Sequence, residues 1–315
     1  MITLKLETTI ALEFWKENKL RLRTSIPELK DSVRQILTME SFEKLIHLGL
    51  HCDSIYAEPV IEFQSPEECL EQIDFFILSS TMQLEMPSSA VEANWASLDS
   101  APLQDKGGWA PISIPERLVY STRLQAPREI GWLQAGHEFA VSEEFLRNLS
   151  QVDPGIYGLR LYANAFKTRV ADGVWQLAVD QFAMPCVVTN SVIPREKGFG
   201  RRNIPGSNLK DSGIPVLPRA MLESPWHIMR SAEPWDDNLG PGWIVTKDAA
   251  IRIAGLSDLV ELCPIFTEGS ECHKVQEALF KEANEIISKV PGARWSLNSI
   301  VPDFGSVLRK RNRSG

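Results

Sequence analysis

Trp243-Ile-Val-Thr246-Lys-Asp248-Ala-Ala-Ile-Arg-Ile253 reads as a short buried strand, a threonine cap and an amphipathic helix, and a second apolar run follows at Leu259-Val-Glu-Leu262-Cys-Pro-Ile-Phe266. A looser copy lies about a hundred residues earlier, as Phe139-Ala-Val-Ser142-Glu-Glu-Phe145-Leu146-Arg-Asn-Leu149 and then Tyr157-Gly-Leu-Arg-Leu161-Tyr162. In both copies a hydroxyl residue closes the strand where its side-chain oxygen can accept from the orphan N–H groups of a first helical turn. Strand, capped helix and strand in succession place the chain among mixed α and β folds.

Working outward, Ser270 to Lys289 carries Val275, Ala278, Leu279, Ala283, Ile286 and Ile287 on one helical stripe, and Pro291-Gly292 ends it. Trp295, Leu297 and Ile300 are expected in a last strand, and the basic tail after Leu308 is expected to fray. Gly173 to Val179 reads as a strand. Towards the N-terminus, Ile2, Leu4 and Leu6 have strand period, while Leu29, Val33, Ile36 and Leu37 share a helical face behind the cap Ser25-Ile-Pro27-Glu28. Phe42, Leu45, Ile46 and Leu48 form a second helical patch. Tyr56 to Phe63 reads as a strand that Pro59 assigns to an edge or a bulge. Ser65-Pro66-Glu67-Glu68 opens a helix expected to carry Cys69, Leu70, Ile73, Phe76 and Ile77 on its apolar side.

The expected architecture is α+β, with mixed strands and short capped helices in two subdomains, 1–125 and 126–315. Residues 185–242 hold eight prolines, at positions 185, 194, 205, 215, 218, 225, 234 and 241, which cannot all lie inside helices or central strands. They are expected to form a long irregular arm. The arm holds Trp226 and Trp235, large apolar groups that a plain linker does not need.

The net charge of −8 includes four basic residues among the last seven, so the body of the chain is the more acidic part. An acidic body argues against binding a phosphate backbone and fits a basic protein partner. Five cysteines at irregular spacing, with no CxxC, fit reduced thiols in a cytoplasm better than a disulfide framework. No run of the sequence approaches eighteen apolar residues, so no membrane span is expected.

Candidate chemistry is sparse. His47 and His51 share a helical face beside Cys52 and Asp53, but no second ligand pair stands at a diagnostic spacing. Cys263 lies in an apolar run, which favours an inert thiol over a nucleophile, and Cys272-His273 invites a thiol–imidazole reading. Gly198-Phe-Gly200-Arg201-Arg202 lacks the endings of the phosphate-binding loops. Glu233-Pro-Trp235-Asp236-Asp237 sets acids beside an indole, which can hold a divalent metal or do acid–base work, can be a plain exposed loop, and suits a protein contact anchored by tryptophan better than a metal, since no His or further acid stands at supporting spacing. No catalytic residue, metal ligand or cofactor site is assigned, and whether the chain is an enzyme stays open.

The element from Phe139 through Ser142, Phe145, Leu146 and Leu149 to the strand at Leu159–Tyr162 resembles the C-terminal element of certain bacterial toxin-immunity proteins. There a strand ending in valine and serine leads into a short helix and then an apolar strand closing on a proline-containing phrase. Val245-Thr246 and Leu262-Cys-Pro-Ile-Phe266 echo it. The resemblance covers about sixty of the 315 residues. It implies a cytoplasmic binding protein of bacterial type, an immunity or inhibitor protein that occludes a cognate effector. The expected contact residues are Trp226, Trp235, Asp236 and Asp237. The alternatives are a metal-dependent hydrolase or nuclease, and a structural subunit of a larger assembly.

Overall fold

The computed structural model describes residues 2–11, 32–48, 55–84, 129–133, 138–163, 168–184, 186, 214–234, 241–289, 293–295 and 303–314. The chain opens with β1 (Ile2–Ala11), antiparallel to both β2 (Ser32–Thr38) and β3 (Ile55–Phe63), with α1 (Met39–His47) between the latter two. The single turn α2 (Pro66–Cys69) and a 3-10 turn at Leu70–Gln72 lead into β4 (Phe75–Ser80) and β5 (Gln83–Leu84). A second group follows: β6 (Ile130–Leu133), β7 (Glu138–Ser142), α3 (Glu143–Val152), β8 (Tyr157–Tyr162) and β9 (Val170–Ala178). The third comprises β10 (Val216–Leu217), a 3-10 turn at Arg219–Glu223, β11 (Ile228–Pro234), β12 (Pro241–Thr246), α4 (Lys247–Leu256) and β13 (Val260–Thr267). Then come α5 (Glu271–Ile287), β14 (Ala293–Trp295) and α6 (Gly305–Ser314). The fold is α+β, with three sheets ordered β14-β3-β1-β2, β5-β6-β7-β9-β8 and β10-β13-β4-β12-β11.

One unit occurs three times. A strand ends in a hydroxyl residue, a helix of nine or ten residues follows, and the chain returns as a second strand separated from the first by a central strand antiparallel to both. The capping residues Thr38, Ser142 and Thr246 stand 104 residues apart (142 minus 38; 246 minus 142). Their backbones are nearly identical, at φ −69 ψ 158, φ −70 ψ 159 and φ −67 ψ 161, and each side-chain oxygen accepts from the N–H three residues on. That hydrogen bond satisfies a donor that the strand-to-helix turn leaves open. The second and third units match further. Ser142 N–H donates to the Glu129 carbonyl as Thr246 N–H donates to that of His227. Asp153 and Ser257 then hold the N–H two residues on, and Ile156 and Val260 donate back to the carbonyls of those two residues.

The central strand has a different origin in each unit. In the first it precedes the capped helix, as β1, and in the second it follows, as β9. In the third it is β4, inserted from far upstream between β12 and β13. Phe76 and Leu78 face the main core, shared with Trp243, Val245 and Ile253, while Phe75 and Ile77 face a second cluster with Met229, Ile244, Ile265 and Met221. A strand buried on both faces needs this uninterrupted Phe-Phe-Ile-Leu run. Residues on both sides of position 126 contribute to all three sheets, since β5 joins the second and β14 the first.

The strand, cap and helix readings around Ser142 and Thr246, and the helix after Ser270, match the structure. Four readings change. Val33, Ile36 and Leu37 lie in β2, whose seven residues pair with β1 from Lys5 to Ala11. A spacing of three and four fits a helix, but β-branched residues beside an open strand fit the ladder as well. The helix expected to run through Phe76 and Ile77 ends after one turn, and Ser65 makes no side-chain cap bond. The stretch 185–242 contributes β10 and β11 to the third sheet; residues 187–213 and 235–240 lie outside the described residues. The basic tail is the helix α6, docked rather than frayed. Phe304 and Leu308 are buried, Arg309 donates to the carbonyl of Val260 at 3.0 Å, and Arg311 and then Lys247 hold the Glu71 carboxyl below its ordinary range. Pro59 sits opposite Leu6, two residues beyond the end of the β14 overlap at Ala57, as an edge proline should. The cap at Ser25 and Leu29 behind it lie outside the described residues.

The repeat makes a direct prediction. Ser142→Ala and Thr246→Ala should each lower stability by about 1 kcal/mol, as loss of an N-cap does. Urea denaturation checks this, and no change in midpoint for either variant would remove the caps from the account.

Candidate protein-contact site

Trp226 is held at the surface by a short series of polar anchors. The 3-10 turn at Arg219–Glu223 lays Met221 over the outer face of the third sheet, where it is buried beside Met229 and Leu217. Met184 N–H approaches the Met221 sulfur at 3.3 Å, and Ser224 Oγ lies 3.7 Å from the Met229 sulfur. Trp226 N–H donates to Ser224 Oγ at 3.3 Å. The next two N–H groups, of His227 and Ile228, both donate to Asp153 Oδ2 at 2.9 Å, and Asp153 Oδ1 accepts from Gly155 at 2.8 Å. His227 Nδ1 lies 3.2 Å from Thr246 Oγ1. Asp153 is buried, so three backbone donors converge on a carboxylate with little competition from water.

Three large apolar side chains stand exposed around this turn: Met184 at 49%, Leu222 at 49% and Trp226 at 42%. Tyr157, at 39%, donates its hydroxyl to Asp180 at 2.7 Å, next to Gln181, whose carbonyl accepts from Arg230 N–H. Asp180 and Glu223 are exposed beside these groups.

Beneath the site lies a buried ion pair. Arg230 on β11 grips Glu138 on β7 with a two-pronged bond, Nη2 to Oε1 at 2.8 Å and Nη1 to Oε2 at 3.1 Å. Its guanidinium lies 4.5 Å from the centre of the Trp243 ring, and Phe139 meets the same ring at 5.9 Å. Arg230 and Trp243 are wholly buried and Glu138 nearly so. The pair ties the second sheet to the third and is out of reach of a ligand.

Of the expected contact residues, Trp226 lies in this patch, while Trp235, Asp236 and Asp237 lie outside the described residues, as do His51, Cys52, Asp53 and Gly198 to Arg202. His47 is exposed at the end of α1. Cys263 is partly buried on β13 against the outer cluster. Cys272 opens α5 with its thiol pushed up to about 11, first by burial and then by the neighbouring Cys69, the reverse of what a nucleophile needs. His273 Nδ1 accepts from Gly269 N–H at 3.0 Å and so serves the turn before α5. Met184, Leu222 and Tyr157 were not legible as contact residues, because nothing in their spacing separates an exposed apolar side chain from a buried one.

Among the described residues no three His, Cys, Asp or Glu side chains gather as a metal site, and no helix is long and apolar enough to cross a membrane. The four described cysteines are in no disulfide. A cleft of about 280 Å³ between Glu129, Leu256 and Arg309 is shallow, and Arg309 within it is engaged by backbone carbonyls and Asp258. No family model, no curated protein and no solved structure matches the chain.

Asp153→Ala strands three backbone donors, that of Ile228 buried and those of Gly155 and His227 part-buried, and should cost on the order of 2 kcal/mol, read as a lowered urea midpoint; an unchanged midpoint would show that water replaces the carboxylate. At pH 8 the native Cys272 thiol should react with iodoacetamide about a hundredfold more slowly than the same thiol in the unfolded chain, since its thiolate fraction is smaller by that factor. Equal rates by peptide mass mapping would contradict its burial.

Proposed function

We propose that this chain is a cytoplasmic protein-binding protein, an immunity or inhibitor protein that covers the active site of a cognate effector, with Trp226 as the anchor of the contact. The observation that carries the reading is an exposed tryptophan fixed to a rigid frame, flanked by Met184 and Leu222 and bordered by Asp180 and Glu223. Tryptophan in such a setting presents a large, stiff, amphipathic surface whose ordering on binding costs little, and residues of this kind dominate binding energies. Methionine beside it adapts to the partner's shape. The acidic border and the acidic body of the chain match a basic partner surface and would speed encounter. The resemblance of the Ser142 and Thr246 elements to toxin-immunity proteins supports the same class, and steric cover of an effector's site requires no catalytic group on this chain.

The test is affinity purification of tagged wild-type and Trp226→Ala protein from the native host, with co-eluting proteins identified by mass spectrometry at low and high salt. One basic protein retained by wild type, released at high salt and bound at least about 30-fold more weakly by the variant is the expected result. Equal recovery of the same proteins by both would contradict it. Asp236→Lys with Asp237→Lys should slow association and reduce its salt dependence; an unchanged on-rate by surface plasmon resonance would remove these two residues from the contact.

A further inference from the structure

Cys69 and Cys272 are 203 residues apart in the chain (272 minus 69) and meet in the structure. Cys69 ends the single turn α2, and Cys272 stands in the first turn of α5. Both are buried. The Cys272 thiol donates to Oε1 of Gln72, three residues beyond Cys69, at 3.3 Å, and the Cys69 thiol is its other hydrogen-bond neighbour. Cys272 lies in the main core, whereas Cys186 and Cys263 lie against the outer cluster of the third sheet, and Cys52 is outside the described residues. The short segment that follows Cys69 is tied to three further elements. Glu71 meets Lys247 of α4 and Arg311 of α6, the Asp74 carbonyl accepts from Lys247 N–H at 2.7 Å, and Asp74 Oδ2 accepts from Thr267 Oγ1 of β13 at 2.8 Å. This segment is the entry to β4, the strand inserted between β12 and β13.

We propose that Cys69 and Cys272 form a reversible disulfide, made by exchange with a small-molecule disulfide of the glutathione type, that fastens the entry of β4 to α5. The Cys69 thiolate attacks the small disulfide, forms a mixed disulfide and releases one small thiolate. Cys272 then gives its proton to water and attacks the Cys69 sulfur, which releases the second. The two protein thiols lose two protons and two electrons, and the small disulfide leaves as two thiols. The order of attack follows from local structure. α2 is one turn whose Ser65 makes no side-chain cap bond, whereas the seventeen residues of α5 are capped by Ser270 through the His273 N–H. Opening is therefore easiest at Cys69. Burial, and then the Cys69 thiol, push the Cys272 thiol up to about 11, so Cys272 is the resolving sulfur and not the first attacker. The bond closes a loop of 203 residues, and such a link restricts the unfolded chain the more, the longer the loop. As dithiols the pair leaves the turn before β4 able to open; as a disulfide it holds that turn shut. None of this depends on the protein-binding reading above.

Peptide mass mapping of the full chain tests the proposal. Wild-type protein treated with glutathione disulfide at mildly alkaline pH, quenched with N-ethylmaleimide and digested should yield a peptide pair joining Cys69 to Cys272, and dithiothreitol should release it. Cys272→Ala should accumulate glutathione on Cys69, while Cys69→Ala should leave Cys272 unmodified. Oxidised wild type should show a higher urea midpoint than the reduced chain and unfold at least about tenfold more slowly, and Cys69→Ala should show neither gain. Three results would overturn the proposal: no 69–272 pair in folded wild type, a pair joining either cysteine to Cys52, Cys186 or Cys263 in its place, or a 69–272 pair that leaves the urea midpoint where the reduced chain has it. All three are read on wild-type protein, so they stand whether or not the variants fold.

Discussion

The third sheet is closed by a strand that belongs to another part of the chain. β4 lies between β12 and β13, and its Phe-Phe-Ile-Leu run supplies side chains to the cores on both faces. Without it, β12 and β13 would face each other across an unfilled gap, with two rows of backbone donors and acceptors left open. The C-terminal half therefore cannot complete its sheet until the segment at 75–80 has docked. The docking of α6 onto β13 through Asp303 and Phe304 adds to this closure. Long-range pairing of this kind is paid for in loop-closure entropy before its contacts form, so assembly of the third sheet is expected to be the slow stage of folding.

Around that insertion the chain repeats one local solution to one local problem. A strand that turns straight into a helix leaves amide donors open, and a serine or threonine at the junction satisfies one of them. The same dihedral pair recurs at Thr38, Ser142 and Thr246 within a few degrees. The helix that follows varies with what it must cover. α4 presents Ala249, Ala250 and Ala254 where α6 packs closely, and α3 presents Phe145 and Leu149 to the space between the second and third sheets. Constancy at the junction and variation on the helix face are what a repeated unit shows when its copies are packed into different surroundings.

This division also accounts for what could be read from sequence. The junctions at Ser142 and Thr246 were legible because cap chemistry is local, and the stripe after Ser270 because seventeen helical residues give several turns of period. β2 and β4 were not. Val33, Ile36 and Leu37 satisfy helical spacing, and only the neighbouring β1 makes them a strand. Phe75 to Leu78 is a short apolar run whose strand character comes from two partners far away in sequence. The tail reads as charge and becomes a helix because Phe304 and Leu308 find a core and its arginines find carbonyls and acids. At the site, Trp226 was named for its residue type alone. Asp153, the carboxylate that fixes its position, lies 73 residues away in the chain (226 minus 153) and looks in sequence like any helix-ending aspartate.

The frame under Trp226 is rigid because its anchors are buried or backbone-borne: Asp153 with its three donors, the Thr246 N–H on the His227 carbonyl, and the Glu138–Arg230 pair beneath. Such a frame holds an apolar surface in one conformation before any partner arrives, which lowers the ordering cost of binding. The most direct measurement of the account is the hydrogen-exchange footprint of this chain when bound to a protein recovered with it from the native host. The account predicts new protection across residues 222–228 and 180–184. Protection confined to other surfaces, with those residues exchanging as in the free chain, would contradict it.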